Sequence, residues 1–210
     1  MITATFETLY MTIVSLCISY LIGLPLGVIS NETRKEGLFP CRVVHGLLEF
    51  LIGFGRAIPF TILMVLALPF TRLLVGTGVG TTATIVPLSL AAIPFVARLV
   101  SISFNQVDKE IIEAAKIDGA SKFKTIVVIC FGSRLYDLLE GMGTSSVAII
   151  SYTAISGTLG GGGLGNYAIT KGYYQYDWYS VAFATLIIVG IVCLFQWFFR
   201  LLSRLVDWRR

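Results

Sequence analysis

Charged side chains are scarce in this sequence. They make up 13% of its 210 residues, about half the share usual in a soluble domain. They are absent altogether between Glu7 and Glu32, between Arg72 and Arg98, between Glu140 and Lys171, and between Asp177 and Arg200. Each gap holds the roughly 20 apolar residues that cross a hydrocarbon core of about 30 Å as a helix. A soluble fold is excluded. There is one histidine, His45, which leaves little room for His-based catalysis or a His-rich metal site. The four cysteines, Cys17, Cys41, Cys130 and Cys193, form no C-x-x-C pair, so neither a zinc site nor a disulfide framework is expected. No H-E-x-x-H, no G-x-S-x-G and no acidic pair flanking a pocket occurs, so no catalytic role is expected. The first apolar run lacks a basic region before it and a small-residue cleavage site after it, which fits a membrane span better than a signal peptide.

What is abundant is apolar side chain, 56% of the residues. The pattern predicts an all-α integral membrane protein of five helices, over residues 8–30, 44–70, 79–104, 138–159 and 178–202, forming one transmembrane domain over residues 1–210. A polar loop over about 105–134 separates the third from the fourth. One side of the membrane collects Arg34, Lys35, Arg42, Lys109, Lys116, Lys122, Lys124, Arg134, Arg200, Arg204, Arg209 and Arg210, and the other only Arg72 and Lys171. The bias of basic residues toward the cytoplasm then places the long loop and the C-terminus inside and the N-terminus outside. The net charge of +4 reflects this asymmetry, and no nucleic-acid partner is expected.

The stretch "SGTLGGGGLGNY" contains Gly160, Gly161, Gly162, Gly163 and Gly165, and Gly160, Gly162 and Gly165 satisfy G-x-G-x-x-G. A dinucleotide site needs a strand before the glycines and an acidic ribose partner about 20 residues later. Neither is present, and the predicted topology puts the run outside, away from ATP or NAD. "GTGVGTTA" from Gly76 also fails as a phosphate loop, since no lysine follows its last glycine. The five glycines of the run are instead expected to form a flexible hinge between the fourth helix and the outer face.

In the long loop, Asp108 is placed to cap a short helix in which Ile111, Ile112 and Ala115 share a face. Gly119 is placed to stop it, and Ser121 to cap a second short helix through Phe123, Ile126 and Val127. Such a pair can lie on the membrane surface, or protrude as a docking element for a cytoplasmic partner. "EAAKIDG", Glu113 to Gly119, resembles the E-A-A-x-x-x-G motif of ABC importer permeases. "GRAIPFTILMVLALPFTRLLVGTGVG", "ATIVPLSLAAIPFVARLV" and "GTLGGGGLGNYAITKGYYQYD" resemble the methionine-type branch of that family. The resemblance implies that Glu113, Ala114, Ala115 and Gly119, with Ile111, couple the chain to a separate ATPase. It also implies a homodimer, an ABC ATPase dimer that carries ATP and Mg, an extracytoplasmic substrate-binding lipoprotein, and a place in the bacterial inner membrane. The chain itself would bind no cofactor and no metal. Where that family has a leucine-proline pair after the second short helix, this sequence has Phe131 and Gly132, so a less rigid bend is expected there.

The fourth helix is rich in hydroxyls: Ser145, Ser146, Ser151, Tyr152 and Thr153. They can line a path or simply let helices pack closely. Ser151 and Tyr152 are the candidate path residues and Ile155 the candidate hydrophobic gate. Arg56 stands apart, since only residues 57–71 separate it from Arg72 and a charge within a span usually has a partner. Glu49, Asp137 and Glu140 are the candidates, with snorkelling to the surface as the other reading. An ion-coupled carrier, the rival function, would want midplane carboxylates, and the third, fourth and fifth spans offer none.

Overall fold

The computed structural model describes residues 1–206, and every regular element among them is helical. Three of its helices are long and apolar enough to cross a bilayer: α1 (Ile2–Glu32), α5 (Thr81–Asn105) and α10 (Trp178–Val206). Two bent helix pairs bring the number to five if each counts as one crossing. Arg209 and Arg210, assigned above to the basic side, lie outside the described residues.

The first bent pair corrects the expected helix over residues 44–70. The chain forms α2 (Arg42–Ala57), turns by 102°, and continues as α3 (Phe60–Leu66) and α4 (Leu68–Val75). Ile58 is extended at φ −76° and ψ 122°, the conformation that a following proline favours, and Pro59 supplies no N–H to close the next turn. Helix α4 ends at Gly76, whose φ of 81° is left-handed.

The second bent pair corrects the long loop. After α6 (Lys109–Ile117), the chain is continuously helical from Lys122 to Leu159: α7 (Lys122–Lys124), a π-helical turn over Thr125–Cys130, α8 (Phe131–Ser156) and a 3₁₀ turn over Gly157–Leu159. There is therefore no second isolated short helix, and no bend at Phe131–Gly132, where Phe131 has helical φ −64° and ψ −45°. Gly132 costs about 1 kcal/mol relative to alanine but keeps its N–H, so nothing forces a break, and the irregularity is taken up one turn earlier. At 1.5 Å per residue this run is about 57 Å long, well beyond the hydrocarbon core, so much of it stands outside the bilayer. It meets α9 (Gly163–Tyr167) and a π-helical extension, Ala168–Tyr173, at 43°.

Packing centres on α5, which crosses α1 and α8, while α10 packs on α8. The seam between α1 and α5 is made by small residues. Thr12, Ser15, Ser19, Gly23 and Gly27 recur at helical spacing on α1, and all are buried. A Cβ on Gly23 would stand 2.9 Å from the Ile93 carbonyl oxygen, and one on Gly27 would overlap that of Ala97. With lipid as solvent there is little hydrophobic drive to pair helices, and close backbone approach supplies the dispersion contacts instead. The opposite character appears on α10, where Phe183, Leu186, Leu194 and Trp197 are exposed, as expected of a helix facing acyl chains.

Candidate functional site

Helix α6 follows the end of α5 after three residues. Its inner side is Ala115, which is buried, and Ile112, which packs against the core cluster that contains Phe104, Val107 and Cys130. Glu113, Ala114 and Gly119 are exposed, Ile111 lies at the edge, and Ile117 is 86% exposed. The helix ends in a two-bond stop: Ala120 N–H donates to the Ala115 carbonyl at 2.9 Å and Gly119 N–H to that of Lys116 at 3.1 Å. This closure needs a left-handed residue, and Gly119 has φ +74°. Asp108 occupies the position before the first turn but its carboxylate makes no capping bond, while Ser121 Oγ does accept from Lys124 N–H at 3.3 Å.

The loop over residues 33–41 braces this region from the side. Glu36 pairs with Lys109 at 2.6 Å, and Lys122 Nζ lies 4.9 Å from the centre of the Phe39 ring. The Lys109 hydrogen bond holds the Glu36 carboxyl below its ordinary range. A depressed carboxylate contributes above its unfolded pKa and loses that contribution as pH falls through the folded value, so the brace is intact at neutral pH. Glu36 and Phe39 carry no motif of their own, and only the fold brings them to Lys109 of α6 and Lys122 of α7.

On α8 the hydroxyls divide. Ser145, Ser146 and Thr153 are buried and donate to the carbonyls of Gly141, Met142 and Ile150, so they serve packing. Ser151 and Ile155 are exposed, one turn apart on a face left uncovered among the described residues. Tyr152 turns toward α3, its ring stacked on Phe60 with centroids 4.7 Å apart and planes at 14°.

The glycine run is fastened at both sides. Gly163 N–H donates to Glu7 Oε2 at 2.7 Å and Leu164 N–H to Thr8 Oγ1 at 2.9 Å, both on α1. Gly80 N–H, at the start of α5, donates to the Gly160 carbonyl at 3.0 Å. Gly160, Gly162 and Gly163 have positive φ. Gly161 and Gly165 are needed for another reason: a Cβ on Gly165 would overlap the Ala154 carbonyl oxygen, and one on Gly161 would stand 2.7 Å from Ser156 Oγ.

None of the three proposed carboxylates pairs with Arg56. Glu49 binds Arg98 at 2.9 Å and accepts the Ser30 hydroxyl at 2.9 Å. Asp137 pairs with Arg134 at 3.2 Å, and Glu140 accepts from Ser203 and Tyr136. Arg56 instead lines a cavity of 260 Å³ together with Phe60 and Tyr152. Among the described residues, no cluster of three or more His, Cys, Asp or Glu is placed to hold a metal ion.

Known proteins share this architecture. Residues 23–208 match the family described as binding-protein-dependent transport system inner membrane component. The probable D-methionine transport system permease protein MetI of Vibrio cholerae is 39% identical over 209 residues, covering 100% of this chain and 93% of its own length. The methionine import system permease protein MetP of Bacillus subtilis is 38% identical over 206 residues, covering 98% and 93%. A chain of the MetNI methionine ABC transporter, solved in inward-facing conformations, superposes with a TM-score of 0.96 at 32% identity, over 98% of this chain and 95% of that one. An amino acid ABC transporter, at 18% identity and a TM-score of 0.74, shares the fold. The chain is thus a member of the binding-protein-dependent transport system inner membrane component family.

Proposed function

We propose that this chain is the permease subunit of an ATP-driven importer of methionine, or of a closely related amino acid, in a bacterial inner membrane. Two copies form the path, as an isologous pair about a twofold axis, and the uncovered face of α8 with Ser151 and Ile155 lies toward that axis. Each bent pair counts as one crossing, giving five, with the N-terminus outside and the C-terminus inside. A separate ATPase dimer, which carries the ATP and Mg, grips α6 through Glu113, Ala114, Gly119 and Ile111, while Ala115, expected from the motif to join them, is buried and seats the helix on the chain's own core. A substrate-binding lipoprotein delivers the amino acid at the outer face, where the glycine run is the pivot of α8. ATP binding draws the ATPase subunits together and opens the path outward, and hydrolysis returns it inward.

The observation that carries this reading is α6 itself. It is a nine-residue helix, packed on one side and solvent-facing on the other, at the basic end of a chain otherwise built for lipid. An exposed Ile117 and Phe123, 86% and 73% accessible, suit a protein socket better than water. Gly119 has open space around it, so a large side chain there strains only one residue, by about 1–2 kcal/mol, yet fills the docking surface. Gly119→Trp should insert normally but lower methionine uptake at least tenfold and weaken co-purification of the ATPase. Full co-purification with unchanged uptake would reject the assignment of α6.

A further inference from the structure

Helix α2 has two unlike faces. Leu47, Phe50, Leu51 and Phe54 are exposed on one, with Phe50 and Phe54 stacked at 6.0 Å, as befits lipid. His45, Glu49, Ile52 and Arg56 recur at i, i+4, i+7 and i+11, which puts them on the opposite face. His45 and Glu49 are half-buried and turn toward the protein, whereas Arg56, at the far end of the face, is exposed. His45 Nδ1–H donates to the Ser30 carbonyl at 2.9 Å and Glu49 is held by Arg98 and Ser30. Arg56 forms no ion pair among the described residues. It lies fourteen residues beyond Arg42, about 21 Å along the helix axis, too far for its side chain to return to the basic surface. If the bent pair of α2 and α3 is one crossing, as proposed above, a cation within it is costly without a counter-ion.

The cavity beside it offers the rest of a site. Gly55 and Ala91 leave room, Phe95 and the stacked Phe60–Tyr152 pair give aromatic walls, and Arg56 provides one unengaged cation. Its volume of 260 Å³ lies just below the range of drug-sized pockets, about 300–1,000 Å³, which suits a free amino acid. A guanidinium presents its donors in a fork matched to a carboxylate. Aromatic faces and edges attract a thioether, and a ring face attracts an ammonium.

We propose that this cavity is a membrane-embedded subsite for a zwitterionic amino acid with an apolar side chain. The Arg56 guanidinium binds the carboxylate, and Phe60, Phe95 and Tyr152 bind the side chain. The subsite rests on the reading above that the chain passes methionine. It makes the permease a second point of substrate selection after delivery, with selection at this point acting on the carboxylate as well as on the side chain.

The test uses the detergent-solubilised permease–ATPase complex without its binding protein, with labelled methionine as probe and binding to the ATPase alone subtracted. Saturable binding is expected, with methioninamide, which lacks the carboxylate, competing at least tenfold more weakly than methionine. Arg56→Gln should lose at least tenfold in affinity and no longer distinguish the two compounds, and Arg56→Lys should recover part of both. Equal competition by methioninamide at the wild-type complex overturns the proposal, even if Arg56→Gln cannot be assembled. So does wild-type affinity in Arg56→Gln, or no saturable binding by a complex that still imports methionine into proteoliposomes when the binding protein is supplied. Absence of import by that wild-type system would instead reject methionine as the cargo.

Discussion

At the scale of single residues, the two ends of one helix hold the informative contacts. Glu7 accepts a 2.7 Å bond from Gly163 N–H, a charge-assisted bond across 156 residues of sequence. Bonds to charged groups contribute about 1.5–3 kcal/mol. Glu7→Ala should therefore lower stability by about 2 kcal/mol, seen as a fall of about 4–8 °C in the thermal transition of the purified protein. Glu7→Gln, which keeps an acceptor, should recover part of that loss. An unchanged transition in Glu7→Ala would mean that the glycine run is held by its own backbone alone. Neither partner is marked locally in the sequence. The glycines suggest freedom, and only the fold shows that the freedom is used to reach left-handed φ values in a segment that is tied down.

At the scale of elements, the long charge-free gaps were legible because a bilayer demands them. Their interruptions were not. Pro25, Pro87 and Pro94 lie inside unbroken helices, whereas Pro59 stands at a 102° turn. The same residue in the same apolar context gives both outcomes, and tertiary packing decides between them. Of the coupling loop, the stop at Gly119 and the cap at Ser121 were legible from local chemistry. The fusion of the second short helix into a run reaching Leu159 was not, because neither glycine nor phenylalanine dictates whether a helix ends. The hydroxyls of the fourth helix could not be sorted for a similar reason: burial separates Ser145 from Ser151, and composition does not. Gly23-x-x-x-Gly27 was a visible signal of close helix packing that the hydroxyl-rich fourth helix overshadowed. Gly27→Ala, whose Cβ would overlap the Ala97 carbonyl oxygen, should destabilise the protein by about 1–3 kcal/mol. Gly190→Ala, in α10 with nothing within 4 Å, should be neutral or stabilise by up to about 1 kcal/mol. Thermal transitions of the two variants check the contrast, and equal effects would show that the seam is slack.

At the scale of the whole molecule, the proposed five crossings require the termini to lie on opposite sides of the membrane. Reporter fusions at the N- and C-termini should give opposite signals, and equal signals would leave one bent pair as a re-entrant turn. The seam between α1 and α5 has a consequence for how such a machine keeps time. Helix α5 is bonded at its first turn to the glycine run through Gly80 and leads directly into α6 at its other end, and α1 is locked along its length. The pair is a stiff rod spanning the distance between the two membrane faces. If α6 couples to an ATPase as proposed, a force applied there would arrive at the glycine run as the displacement of one body. Inner and outer gates attached to such a rod would move in the same stroke, and loosening Gly27 would put them out of phase before it disabled either one.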